Sequence, residues 1–125
     1  MDNKIKEIGW LSKNIIDKLN ITDISINTPI YLGPSNINHM INSHPADYNK
    51  YKNNISEIIN TPDYGYLNSS DNSIELIKDF IDEGKHVRAA IRISNNKQLF
   101  LRTLFTITDN KLQNYINSKK LVIFN

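Results

Sequence analysis

None of the 125 residues is a cysteine, which excludes disulfides, thiolate zinc sites and a cysteine nucleophile. No apolar run approaches membrane-spanning length, so no membrane partner is expected. Met1-Asp2-Asn3-Lys4 is not followed by the apolar core of a signal peptide. No internal repeat or low-complexity linker divides the chain, and its length suits a single domain over residues 1–125. Acidic residues are scarce at one end. Residues 84–125 contain 8 Lys+Arg and only Asp109, a balance of +7. Residues 1–83 contain 7 Lys+Arg and 12 Asp+Glu, a balance of −5. The net charge of +2 hides this asymmetry. A basic C-terminal part suits a polyanionic partner such as nucleic acid; neutralisation of one part by the other within the fold is the alternative.

What is present is 39% hydrophobic and 22% charged residues, the mixture of a soluble globular protein. Its clearest pattern runs from His86 to Thr108. His86, Arg88, Ala90, Arg92 and Ser94 alternate with Val87, Ala89, Ile91 and Ile93, the period of a half-buried strand. Leu99, Leu101, Thr103, Phe105 and Ile107 alternate with Gln98, Phe100, Arg102, Leu104 and Thr106. A three-residue loop, Asn95 to Lys97, pairs Ser94 with Gln98 and matches the faces, whereas a two-residue loop sets a polar face against an apolar one. Asn is suited to the left-handed conformation such a loop needs. In this register Arg102 lies opposite Ala90, between Arg88 and Arg92. The three arginines of the protein then share one patch, either scattered on a solvated face or forming a phosphate clamp.

Upstream, the spacing of Ile5, Ile8, Leu11, Ile15, Ile16 and Leu19 predicts a helix over Asn3 to Asn20, with Trp10 packing against the domain. Thr28 to Leu32 reads as a short strand, and Ser35 as the cap of a helix reaching Ser43 with Ile37, Met40 and Ile41 inward. Ala46 to Asn60 reads as a second helix. Tyr64 to Leu67 is a strand, and Ser73 to Phe80 a strand or a helix. Asp109 is expected to cap a short helix through Leu112, Tyr115 and Ile116. Lys119-Lys120 leads into an apolar tail, LVIFN, expected on the sheet edge. Helices followed by an antiparallel sheet make the class α+β, with helices over about 3–60 and sheet plus C-terminal helix over about 62–125.

Two of the three histidines, His39 and His44, sit in one helical stretch. Five residues apart, they diverge by about 140° on an ideal helix, but Pro45 forces a break at His44 that can change this. Their spacing is neither that of a helical metal pair nor part of a Cys/His cluster, so no metal is expected. Bonding to backbone at a helix end is the structural alternative to catalysis for each.

The succession HMINSHP (39–45), EIINTPDY (57–64), SIELIKDF (73–80), AAIRIS (89–94) and RTLFTI (102–107) resembles the phage-associated nuclease families of the barnase/EndoU/colicin/RelE-like (BECR) superfamily. Order and spacing agree from about Tyr31 to Leu121. The resemblance implies N-terminal helices packed on a four-stranded antiparallel sheet, and a metal-independent, toxin-like endoribonuclease without a cofactor. His39 and His44 match the two family histidines, Thr103 the threonine of the late strand, and Lys78 a lysine of the SIELIK segment. Phe105 stands where the family pattern often has tyrosine, removing one candidate hydroxyl. Arg102 and Thr103, neighbours in a strand, point to opposite faces unless a bulge intervenes.

The chemistry needs little from the protein. RNA supplies its own nucleophile, the 2′-hydroxyl, so one base, one acid and cations for the phosphorane suffice. The products are a 2′,3′-cyclic phosphate and a 5′-hydroxyl, and DNA is inert. The histidines that the resemblance singles out, His39 and His44, are expected to be the acid and base; Arg92 and Arg102 are expected to stabilise the phosphate charge, and Thr103 to donate a hydrogen bond to a phosphate oxygen. Arg88, Arg92, Lys78 and His86 are expected to bind substrate. The expected partners are RNA, with tRNA one candidate, and an immunity or antitoxin protein. The expected place of action is the cytoplasm, after phage expression or delivery into a target cell. A non-catalytic RNA- or protein-binding module on the same fold is the alternative.

Overall fold

The computed structural model describes residues 4–118 and 121–124. Met1 to Asn3, the Lys119-Lys120 pair and Asn125 at the end of the apolar tail lie outside them. The chain enters through a strand where its apolar spacing predicts a helix: β1 (Lys6–Trp10) pairs antiparallel with β2 (Pro29–Leu32). Helical structure here is confined to α1 (Lys13–Leu19). Two residues explain the difference. Gly9 costs about 1 kcal/mol relative to alanine inside a helix. Ser12 starts a helix of its own, its hydroxyl accepting the Ile15 N–H at 3.3 Å. Trp10, expected to pack inward, is 49% exposed.

Among the described residues five further strands complete one sheet: β3 (Tyr64–Asn68), β4 (Ser73–Phe80), β5 (Lys85–Ile93), β6 (Leu99–Ile107) and β7 (Val122–Ile123). The order is β1-β2-β6-β5-β4-β3-β7. Its middle, β6-β5-β4-β3, is the expected antiparallel four. The whole is nonetheless a seven-stranded mixed sheet, because β2 runs parallel to β6 and β7 adds to β3. The C-terminal tail thus docks on the sheet edge as its apolar character predicts. The parallel pairing of β2 joins segments nearly seventy residues apart and leaves no local pattern to read.

One sheet face carries Ile74, Leu76, Val87, Ala89, Ile91, Leu99, Leu101 and Leu104, all buried in the main core. Ile15 and Leu19 of α1 belong to that core, with Tyr51, Ile58 and Ile59. The last three come from α3 (Pro45–Tyr51) and α4 (Ile55–Asn60), which a 3-10 turn at Lys52–Asn54 separates where one helix is expected. The other face is covered at one end by α5 (Asp109–Ser118), whose Leu112 packs with Ile77 and Ile107. Thr108 caps α5 in place of Asp109, its hydroxyl accepting the Lys111 N–H at 3.2 Å. Among the described residues no helix is long and apolar enough to cross a membrane.

The β5–β6 hairpin turns through the expected three-residue loop. Ser94 N–H donates to Gln98 O at 2.9 Å, and the left-handed residue is Lys97, at φ 65°, rather than an asparagine. The register holds from Ile93↔Leu99 to Ile91↔Leu101. It then slips by one. Ala90 faces Thr103, leaving Arg102 as an extra residue in β6, the bulge without which Arg102 and Thr103 would face apart.

Candidate active site

The bulge transposes the faces of β6. Before it, Leu99 and Leu101 face the main core; beyond it, Leu104 does so, and Thr103, Phe105 and Ile107 share a face with His86, Arg88 and Ala90. This face also receives Ser73, Glu75, Ile77 and Asp79 from β4.

Beside β6, strand β2 stops at Leu32 after pairing with Leu99 and Phe100 alone. Helices then take over the edge: α2 (Pro34–Ser43) and α3 lie against the rest of β6. Gly33 rather than Ser35 occupies the cap of α2, and Pro34 opens the first turn, where a missing N–H costs nothing. The Asn36 side chain reaches back, its Oδ1 accepting the Gly33 N–H at 3.0 Å. Met40 is buried inward, whereas Ile41, expected beside it, is 46% exposed. At the other end Pro45 breaks the helix, and His44 has φ −141° and ψ 60° between α2 and α3. Asp47 fastens the break to the strand, accepting the Thr106 N–H at 2.9 Å.

A hollow of about 450 Å³ results, lined by Asn36, His39, His44, Arg102, Thr103 and Phe105. The break at His44 therefore does what a continuous helix cannot, bringing both histidines to one depression. The His44 ring stacks on Phe105, centroids 4.8 Å apart and planes 22° from parallel. The Thr103 hydroxyl is buried and makes no hydrogen bond among the described residues. A buried hydroxyl without a partner costs roughly 1–3 kcal/mol. A ligand oxygen reaching the hollow would satisfy it.

The predicted binding residues divide. Arg92 and Arg102 line an adjoining hollow of about 340 Å³ with Phe100 and Asn36. Arg102 also approaches exposed Asp71 at 3.7 Å. Arg88 does not offer its charge to the groove: its Nη2 lies 2.5 Å from Glu75 Oε1 and its Nε donates to the same oxygen at 2.7 Å. Glu75 is fully buried and also accepts from the Ser73 hydroxyl. Burial works against the Arg88 charge, but Glu75 outweighs it and the net shift of the guanidinium pKa is upward. Its flat face rests 5.0 Å above Phe105 and 5.6 Å from Tyr115.

His86 is committed too. Its Nδ1 lies 2.6 Å from Asp79 Oδ1 and its Nε2 2.5 Å from Asp109 Oδ1. Burial acts to lower its pKa, but the bonds to the two aspartates prevail and raise it above the ordinary histidine value. Lys78 is on the opposite sheet face, donating to Thr61 O at 2.6 Å. Lys78 and His86 therefore stand outside the hollow that holds His39 and His44. Among the described residues no three His, Asp or Glu side chains converge as a metal site requires. Glu75 went unremarked in the sequence. Its signal is an acid flanked by apolar residues in a strand that is otherwise buried throughout this stretch, as SIELI shows.

The model of the family phage-Barnase-EndoU-ColicinE5/D-RelE like nuclease 3 matches residues 6–114. The chain belongs to that nuclease family. The match begins at β1, so the entry strand and β2 belong to the nuclease region along with the hairpin and α2. No curated protein and no solved structure matches the chain.

Proposed function

We propose that this phage-associated nuclease cleaves RNA without a metal, by 2′-hydroxyl attack, in the hollow between α2 and β6. One observation carries the reading: two imidazoles, a guanidinium and an unpartnered buried hydroxyl line a single depression. Of the histidine pair, one imidazole takes the 2′-hydroxyl proton as that oxygen attacks phosphorus. The other gives a proton to the departing 5′-oxygen, leaving a 2′,3′-cyclic phosphate and a 5′-hydroxyl. His44 is oriented for its part by its stack on Phe105. Arg102 opposes the charge that accumulates on the non-bridging oxygens, and Thr103 Oγ1 donates to one of them. Phe105 stands where a tyrosine would offer a hydroxyl, and its ring instead orients His44 and rests beneath Arg88.

Incubation of the purified protein with total tRNA in EDTA tests this, read by denaturing gel and end-group analysis. Discrete fragments with cyclic phosphate ends are expected. His39→Ala and His44→Ala should each lower the cleavage rate by roughly 10²–10⁴ while leaving the thermal midpoint nearly unchanged. RNA left intact by folded protein, with and without magnesium, would replace this reading by RNA binding without scission. Unaltered cleavage by the double histidine variant would move the chemistry elsewhere.

A further inference from the structure

We infer that the hollow beside Phe100 is a nucleobase subsite, holding the base next to the cleaved phosphate, so that the substrate is unpaired RNA. This rests on the ribonuclease reading for its position but on separate residues for its chemistry. The hollow adjoins the histidine depression and shares Asn36 and Arg102 with it as a common wall. A nucleotide chain whose phosphate lies at Arg102 therefore has somewhere to put the adjacent base.

Three features suit a base rather than a phosphate or an apolar peptide. First, Phe100 is half-buried, its ring 5.9 Å from Tyr31 and tilted by 43°, and Ile5 closes the depression with an apolar wall. The volume of about 340 Å³ lies at the small end of the sites that take compact organic ligands. Second, the Arg92 guanidinium is exposed and has no ion-pair partner among the described residues. The Arg102–Asp71 contact at 3.7 Å joins two solvent-accessible side chains and yields cheaply. Flat guanidinium groups beside an aromatic ring suit stacking and the backbone phosphates flanking a base. Third, Asn36 is oriented. Its Oδ1 is occupied by the Gly33 N–H, which turns the amide –NH₂ away from the cap. That donor has no acceptor among the described residues, and every base edge offers acceptors. A base paired and stacked in a duplex cannot lay its ring on Phe100, whereas an unpaired one can.

The test separates binding from cleavage. Fluorescence anisotropy is measured with labelled 2′-O-methyl heptamers of A, C and U, whose blocked 2′-oxygens cannot attack. The same heptamers in duplex form, and a heptamer abasic throughout, serve as comparisons. At least one single strand should bind more tightly than both its duplex and the abasic chain. Phe100→Ala should weaken that binding roughly 5- to 150-fold, the range spanned by base–aromatic stacks. Phe100→Tyr should retain it, and the abasic chain should bind both variants and the parent alike. Equal affinity of the unaltered protein for base-bearing and abasic chains overturns the subsite, as does a failure to bind any of the probes. Base-dependent binding with intact tRNA leaves the subsite standing and removes the ribonuclease reading. Cleavage with base-independent binding does the reverse.

Discussion

One sheet face carries charge in two different states. Under α5, every charged group on it is matched: Arg88 with Glu75, and His86 with Asp79 and Asp109. Away from α5, exposed Arg92 has no ion-pair partner among the described residues, and the Thr103 hydroxyl, although buried, has no hydrogen-bond partner among them. The residues alternate along the same strands at the same spacing, so strand position alone does not distinguish them. What distinguishes them is cover. A guanidinium taken out of water needs a carboxylate beside it, because an unpaired buried charge costs several kcal/mol. An exposed one keeps its hydration and remains available to a ligand. The covered end holds its charges in pairs, and the open end leaves a guanidinium accessible to a ligand.

The contrast breaks most severely at Glu75. Glu75→Ala strands the Arg88 guanidinium, whose side chain is only 13% exposed, and should cost about 3–5 kcal/mol in denaturant unfolding. Removing the acid facing Arg102, by Asp71→Ala, should cost less than about 1 kcal/mol in the same experiment. Equal losses from the two would erase the distinction between covered and open ends. Thr103→Val sharpens it from the other side. Replacing an unpaired buried hydroxyl by a methyl group should leave stability unchanged or raise it by about 1 kcal/mol, while cleavage falls by roughly tenfold or more. A stability loss above about 1 kcal/mol would mean that the hydroxyl has a structural partner.

The smallest effect concerns pH. His86 has a raised pKa in the folded chain, so its contribution is fully present below the ordinary histidine value of about 6.5. It is lost as pH climbs through the raised value. Unfolding free energy should therefore decline across that window, and His86→Asn should flatten the decline. An unchanged slope in the variant would assign it to another group.

The sequence made the antiparallel middle of the sheet legible because its determinants are local. Alternation marks β5 and β6, and the three-residue loop follows from matching their faces. The β6 bulge was not legible. Leu99, Leu101, Thr103, Phe105 and Ile107 form an unbroken alternate series, and nothing in their side chains records that one residue is extra. That one residue lets Arg102 and Thr103 line one hollow. The entry strand departs from the helical expectation because Ile5, Ile8 and Leu11 satisfy a helical period, while Gly9 and the Ser12 cap oppose it. His39 and His44 were visible as a pair, but their convergence depends on the backbone at His44.

The break at His44–Pro45 also bears on what covers the edge of β6. Past its short pairing with β2, strand β6 would present a free edge of backbone amides, the kind of template on which another chain's strand can add. Helix α3 begins at the break and carries Asp47 in its first turn, and that carboxylate takes the Thr106 N–H. The edge is thus sealed by an acid that repels a second acceptor. A lesion that straightened the chain through Pro45 would disorient His44 and unseal the strand in the same event, so loss of activity and onset of aggregation should travel together in variants of this turn.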